Sequence, residues 1–164
     1  MSKLKMHART LLAAGSIGLG ATVAMAQDGA ETLSRLNPPT LPDAGAVGYS
    51  QITVVEAGTK LAYISGQVAW RASGEPAPAS FEEQAAIVVD NANAALAAVG
   101  ATAKDLVMVR VYVVGLSHER MGQIMPYILK LFDGAKPSLT GIGVDALAAP
   151  DLLLEIEMTV RVPS

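Results

Sequence analysis

The stretch that decides the fold is residues 80–114, SFEEQAAIVVDNANAALAAVGATAKDLVMVRVYVV. Ser80 with Glu83 three residues later is typical of a capping box at a helix start. Apolar residues then recur at helical spacing, and Gly100 predicts the helix end. The following run, 106–114, alternates valines with larger side chains and predicts a strand that is covered on both faces.

Working outward, residues 52–55 and 61–64 are two β-rich runs on either side of a short turn-prone segment, and together they predict a hairpin. A second helix is predicted between residues 117 and 132, in which Pro126 either kinks the helix or marks its beginning. Two further strands are predicted downstream, at 138–144 and 152–162.

The order β-β-α-β-α-β-β predicts an α+β subunit with both helices on one face of a mixed sheet. The opposite face then carries Arg110, Tyr112, Glu155 and Glu157 among apolar neighbours. Such a face needs cover, and self-association is the simplest way to provide it.

The first 26 residues have the features of a cleavable secretory signal. Lys3, Lys5 and Arg9 precede an uncharged run that ends in Ala-Met-Ala at 24–26. Glycines interrupt this run, whereas a membrane span needs roughly 20 strongly apolar residues. We therefore expect cleavage after residue 26, a periplasmic or secreted protein, and no stable membrane insertion of the mature form.

Residues 27–46 are rich in Pro, Gly, Ala and Asp, and Pro38, Pro39 and Pro42 disfavour regular structure there. The sequence therefore predicts a linker over this stretch and a folded domain over residues 47–164.

The composition excludes several classes of function. Loss of the three basic residues of the signal would change the formal net charge from −3 to −6, and an acidic domain repels phosphate backbones, so no nucleic-acid partner is expected. The chain has no cysteine, and His118 is the one histidine left after cleavage. We therefore expect no disulfide framework and no metal site.

Short motifs in a fixed order carry a resemblance to a known family. They are GYSQ at 48–51, SGQV at 65–68, Glu83-Gln84 with Asn91 and Leu96 ahead of Gly100, VRVYVV at 109–114, and EIE at 155–157. In this order and spacing, the chain from residue 47 onward resembles the RidA family, also called YjgF or endoribonuclease L-PSP. The resemblance implies a chorismate-mutase-like subunit and a homotrimer with small-molecule clefts at its subunit interfaces.

The resemblance also implies a chemistry. Active RidA members hydrolyse enamines and imines such as 2-aminoacrylate to 2-keto acids and ammonia, without metal or cofactor. The family's early tyrosine, its cleft glycine and its glutamate, which positions water or the substrate nitrogen, fall on Tyr49, Gly66 and Glu155.

One family residue does not carry over. Active members bind the substrate carboxylate with an arginine in a Pro-Ala-Arg-Ser/Thr stretch, whereas residues 137–140 here are PSLT, with Leu139 at the arginine position. The family's second-helix asparagine is also missing from 123–126, and one residue is inserted between Leu147 and Glu155. Because leucine cannot form the two parallel charge-assisted bonds of a guanidinium, ordinary deaminase activity is expected to be lost or altered.

Arg110 is the candidate for a replacement cation. A strand fixes its position, but it also fits as an ion-pair partner of Glu155 or Glu157, which share one face of the last strand. Both interpretations remain open from the sequence.

Three hypotheses follow. The first is an exported, RidA-type homotrimer that binds a small metabolite in interface clefts, with any hydrolysis depending on Glu155. The second is a non-enzymatic trimer with a partner-binding or stress-protective role. The third is a retained, cofactor-independent enamine/imine deaminase in which Glu155 works with another cation such as Arg110.

Overall fold

A four-stranded sheet with two helices on one side forms the centre of the fold in the computed structural model, which describes residues 33–163. The strands are β1 (Leu33–Leu36), β2 (Ile52–Val55), β3 (Leu61–Gln67), β4 (Leu106–Val114), β5 (Ser138–Val144) and β6 (Leu154–Arg161), and the helices are α1 (Phe81–Ala98) and α2 (His118–Phe132).

The central sheet has the strand order β3-β6-β4-β5. Strand β6 is antiparallel to β3 and β4, whereas β4 and β5 are parallel, as a crossover through α2 requires. The predicted α+β fold, with both helices on one face of a mixed sheet, is confirmed.

The predicted hairpin of β2 with β3 is wrong. The turn between them forms, with Gly58 at φ 83°, but β2 pairs antiparallel with β1 and β3 pairs with β6. The missed partner, Leu33–Leu36, lies inside the stretch read as a linker, so the prediction for 27–46 is wrong for these four residues. Strand β1 ends before Pro38, which is why the prolines do not prevent it.

Helix α1 begins and ends where the sequence predicts. The Ser80 hydroxyl accepts a hydrogen bond from the Glu83 N–H at 3.3 Å, which is one half of the capping box, and it donates to Glu82 at 3.2 Å. Gly100 adopts a positive φ of 70° just past the last turn, and the helix ends there.

Helix α2 runs through Pro126 and does not begin there. Its start is fixed eight residues earlier, where the Ser117 hydroxyl accepts a hydrogen bond from the Arg120 N–H. Ile124 and Ile128, on either side of the proline, are each only 1% exposed. Their burial offsets the hydrogen bond that the proline cannot make.

A buried amide ties α1 to two loops. The Gln84 amide donates to the Pro78 and Asp151 carbonyls at 2.8 and 2.7 Å and accepts from the Leu153 N–H at 2.9 Å. Because the side chain is fully buried and its oxygen and nitrogen are both satisfied, it holds these loops at fixed positions.

The two faces of the central sheet differ. The helix side is closed and apolar: Val109, Val111 and Val113 are at most 3% exposed. The opposite side, here called the open face, is covered by neither α1 nor α2, the two α-helices of residues 33–163, and Tyr63 is 81% exposed on it.

Candidate functional site

The open face carries a polar cluster formed by Arg110, Tyr112 and Glu157. Arg110 is directly opposite Glu157 in the β4–β6 register. The Arg110 guanidinium pairs with one Glu157 carboxylate oxygen at 2.8 Å, and the Tyr112 hydroxyl donates to the other at 2.7 Å. Both oxygens of Glu157 are therefore occupied, and Arg110 takes the ion-pair role rather than standing free for a ligand.

This cluster raises the pKa of Tyr112 above its ordinary value. The hydrogen bond to Glu157 raises the pKa of the Tyr112 hydroxyl, burial and the charges of Glu157 and Glu155 act in the same direction, and Arg110 opposes them. Tyr112 is thus held as a hydrogen-bond donor, and it is not a base at neutral pH.

Glu155 lies beside the cluster, opposite Tyr112 in the register, and contacts the backbone of Gly66 on β3. A Cβ atom added at Gly66 would lie 1.7 Å from a carboxylate oxygen and 2.7 Å from Cγ of Glu155. The glycine therefore provides the space that the glutamate occupies. Within residues 33–163 the Glu155 carboxylate makes no hydrogen bond or ion pair, so it remains available to a ligand.

Leu139 lies on the other side of the sheet. It pairs with Val109 of β4, so its side chain shares the helix side with the valine row, whereas Arg110 pairs with Thr140 and faces away. Arg110 therefore does not stand in for the missing arginine at Leu139 within one chain.

A small cavity of about 30 Å³ opens between Leu139 and α2. Its lining consists of apolar residues and one glycine: Val111, Met121, Ile124, Met125, Ile128, Leu139 and Gly141.

Tyr49 belongs to the Leu139 side of the molecule. It is half-buried against the core, and the next residue, Ser50, donates its N–H to the Pro137 carbonyl at 3.0 Å. Together with the bridge between Ser50 and Ser138, this bond places Tyr49 beside the start of β5, on the side of the sheet that carries Leu139.

The predicted site residues thus form two groups within one chain. Gly66 and Glu155 are in contact on the open face, with Arg110 nearby, whereas Tyr49 and Leu139 lie on the helix side. Two wider depressions, of about 340 and 490 Å³, lie around Arg161 and contain none of the predicted site residues.

The sequence analysis missed the apolar cavity and the residues of α2 that line it. Met121 and Met125 are four residues apart and so fall on one helix face. Gly141 is two residues after Leu139 and so falls on the same strand face. These two spacings could have indicated which residues share a face on α2 and on β5. They could not show that the two faces meet, because that depends on how the crossover places α2 over β5.

No group of three or more His, Cys, Asp or Glu side chains suited to a metal ion occurs among residues 33–163. In the same part of the chain, neither α1 nor α2 has the length and apolar character needed to cross a lipid bilayer.

Comparison with known proteins places this fold in a family. The sequence profile described as Endoribonuclease L-PSP matches residues 41–162. The chain is 34% identical over 104 residues to the RutC family protein YjgH of Escherichia coli K12, covering 63% of this chain and 76% of that protein.

Similar solved structures belong to the same family or share its fold. A Yersinia pestis protein of unknown function, YyfB of the conserved Rid family, is 36% identical with a TM-score of 0.74, covering 79% of this chain and 98% of its own. Yeast Mmf1, at 24% identity, has the same fold with a TM-score of 0.57, covering 80% of this chain and 100% of its own. The chain belongs to the endoribonuclease L-PSP family, the RidA or YjgF family that its motifs resemble.

Proposed function

We propose that the protein is an exported RidA-type homotrimer that binds a small, uncharged or weakly polar metabolite in clefts between its subunits. Ordinary hydrolysis of 2-aminoacrylate and other carboxylate-bearing imines is lost or altered. The observation that carries this proposal is the contrast between an unpaired Glu155 held against Gly66 and an apolar lining at Leu139, where active relatives have an arginine.

The separation of the two residue groups supports a cleft built from two subunits. Gly66 and Glu155 lie on the face that neither α1 nor α2 covers, and Tyr49 and Leu139 lie on the other side of the same sheet. Each group alone lines only part of a pocket, so a complete cleft requires the open face of one subunit to meet the Leu139 side of another.

The electrostatics of the open face favour Glu155 as the reactive group. Glu157 is occupied by Arg110 and Tyr112, whereas Glu155 has no such partner in the described chain. If the protein turns over an imine, water adds its oxygen to the imine carbon, the carbon–nitrogen bond breaks and ammonia leaves. Glu155 takes a proton from the water and delivers it to the nitrogen, which gives a carbinolamine. It then carries the hydroxyl proton of the carbinolamine to the same nitrogen as the carbon–nitrogen bond breaks and the keto group forms.

The missing guanidinium limits the substrates. A carboxylate bound beside Leu139 would lose its water and gain no charged partner, at a cost of several kcal/mol. Because the cavity lining has no polar side chain, the site disfavours the amino-acid-derived imines of active relatives.

Export also supports a different ligand. The sequence features of residues 1–26 would carry the protein away from the cytoplasm, where enzymes that use pyridoxal phosphate release 2-aminoacrylate. Mass spectrometry of the protein from the extracytoplasmic fraction should give a chain that begins at Gln27, and an intact Met1 there would contradict the proposal.

The direct test of function is an assay of 2-aminoacrylate hydrolysis with the mature protein and its Leu139→Arg variant. We expect the wild type to remain near the uncatalysed rate and the variant to exceed it, because a guanidinium can hold the carboxylate. Fast wild-type turnover would contradict the claim that Leu139 disables this chemistry.

Glu155 can be tested without changing its charge. Gly66→Ala places a Cβ atom in the volume of the carboxylate and should displace it, whereas Gly122→Ala, on the exposed side of α2, meets nothing within 4 Å and serves as the control. Any activity of the Leu139→Arg protein should fall with Gly66→Ala and persist with Gly122→Ala.

A further inference from the structure

The cavity at Leu139 is lined by groups without charge or hydrogen-bonding side chains. Ile124 and Ile128 of α2 and Val111 of β4 line it and are buried. Met121 and Met125 are half-buried and lie on the α2 side, and Gly141 of the edge strand β5 is exposed. The exposed part of the lining is therefore at β5, where Gly141 has no side chain and Met121 occupies the adjacent space.

Its size sets what can enter. A water-sized group needs about 10–15 Å³, so a cavity of about 30 Å³ has room for the end of a short alkyl chain. Methionine side chains are flexible and adapt to irregular apolar groups, and Cε of Met121 is already in the volume next to Gly141, 3.1 Å from where a Cβ atom would be. A small movement of Met121 would enlarge the pocket.

A water molecule in this cavity would be poorly stabilised, because no lining side chain offers it a hydrogen bond. Apolar cavities of this kind stay dry and bind apolar groups. A carboxylate is excluded more strongly, since it would be desolvated without a partner.

We propose that this cavity is a specificity pocket for a short apolar substituent, so that the ligand class is small neutral ketones or imines that carry an alkyl group where relatives' substrates carry a carboxylate. This inference rests on the proposed function, because it places the reacting carbonyl or imine of the same ligand toward the cleft that Glu155 lines.

A matched pair of probes tests it. Butan-2-one and 2-oxobutanoate share an ethyl ketone and differ by a methyl group in place of the carboxylate. With the mature protein carrying ¹³C-labelled methionine methyls, butan-2-one should shift the Met121 and Met125 signals in a saturable way. The Met158 signal, from a buried methionine of β6 that does not line the cavity, is the internal control and should not move. At equal concentration, 2-oxobutanoate should leave all three methionine methyl signals unchanged.

Two variants make the result specific. Leu139→Phe fills the cavity and should abolish the butan-2-one shifts, and Leu139→Arg should reverse the preference toward 2-oxobutanoate by about tenfold or more, as charge-assisted hydrogen bonds typically provide. Met108 and Met158 signals that keep their wild-type positions would show that each variant is folded.

The inference is overturned if butan-2-one gives no saturable shift at Met121 and Met125, or if 2-oxobutanoate binds the wild type equally well. Sedimentation of the same samples separates this outcome from failure of the proposed function. A monomer that still shows the shifts would contradict the trimeric cleft and leave the pocket intact, whereas a trimer without them would contradict the pocket alone.

Discussion

The two faces of the central sheet are built from the same strands but differ in burial and in the kind of contact that their side chains make. In β6, Ile156 faces the helices and is fully buried, whereas its neighbours Glu155 and Glu157 face the open side and are half-exposed. On the helix side, contacts are mainly apolar, apart from the buried Gln84 amide and the small cavity at Leu139. On the open face, hydrogen bonds are made within a small cluster, and the Glu155 carboxylate has no partner among residues 33–163. Stability therefore resides mainly on one face, and the groups available for chemistry lie on the other.

The largest expected effect separates the two faces within one strand. Ile156→Ala should destabilise the protein by about 2–5 kcal/mol, because it removes buried methyl groups and leaves a cavity. Thr159→Ala, on the open face of the same strand, should cost under about 1 kcal/mol. Denaturant unfolding at a single protein concentration measures both, and equal costs would break the distinction between the faces.

The next effect concerns the buried amide on the helix side. Gln84→Ala should cost about 2–4 kcal/mol, because the Pro78 and Asp151 carbonyls and the Leu153 N–H lose their partner in a buried site. Asn93→Ala, on the exposed side of the same helix, is the control and should be near neutral. Unfolding curves compare them, and a neutral Gln84→Ala would mean that the loops find other partners.

A pH-dependent effect follows from Asp105, at the start of β4. Burial raises the pKa of its carboxyl, but hydrogen bonds from Thr102 and Arg161 outweigh burial, and the net pKa is lowered. A carboxyl whose pKa is lower in the folded state contributes stability above its unfolded pKa of about 3.9 and loses it as pH falls through the folded value.

Wild-type stability should therefore decrease below about pH 4 more steeply than that of Asp105→Asn, whose side chain does not titrate. Thermal unfolding from pH 6 to pH 2 provides the measurement. Parallel curves for the two proteins would show that Asp105 has an ordinary pKa.

The smallest effect belongs to the open face. The side chains of Arg110 and Glu157 are 43% and 36% exposed, so solvent screens their ion pair. A double-mutant cycle with Arg110→Ala and Glu157→Ala should give a coupling energy under about 1 kcal/mol that shrinks with added salt. A much larger and salt-insensitive value would mean that another subunit buries the pair.

Local patterns predicted most of the fold. The cap at Ser80, the glycine at Gly100 and the strand at 106–114 each depend on near neighbours, and each was predicted correctly. The prediction that this strand is covered on both faces was wrong for the single chain, because Arg110 and Tyr112 on the open face are only partly buried. The predicted hairpin was wrong because strand pairing is non-local. Strand β2 pairs with Leu33–Leu36, which was not predicted as a strand because prolines follow it closely.

The site was predictable in part for the same reason. Glu155 and Glu157 could be placed on one face from alternation, and Arg110 could be named as a partner. Which glutamate Arg110 pairs with depends on the β4–β6 register, and the position of Leu139 on the helix side depends on the β4–β5 register. Neither register can be derived from the sequence pattern of a single strand.

The claim that the cleft joins two subunits can be measured directly because the chain has no cysteine. Leu139→Cys and Glu155→Cys place thiols on opposite faces of the sheet, and the double variant can be treated with a short bis-maleimide and separated under denaturing conditions. We expect covalent dimers and trimers from the double variant and little from either single variant. Monomers alone, from protein that is folded before treatment, would contradict a shared cleft.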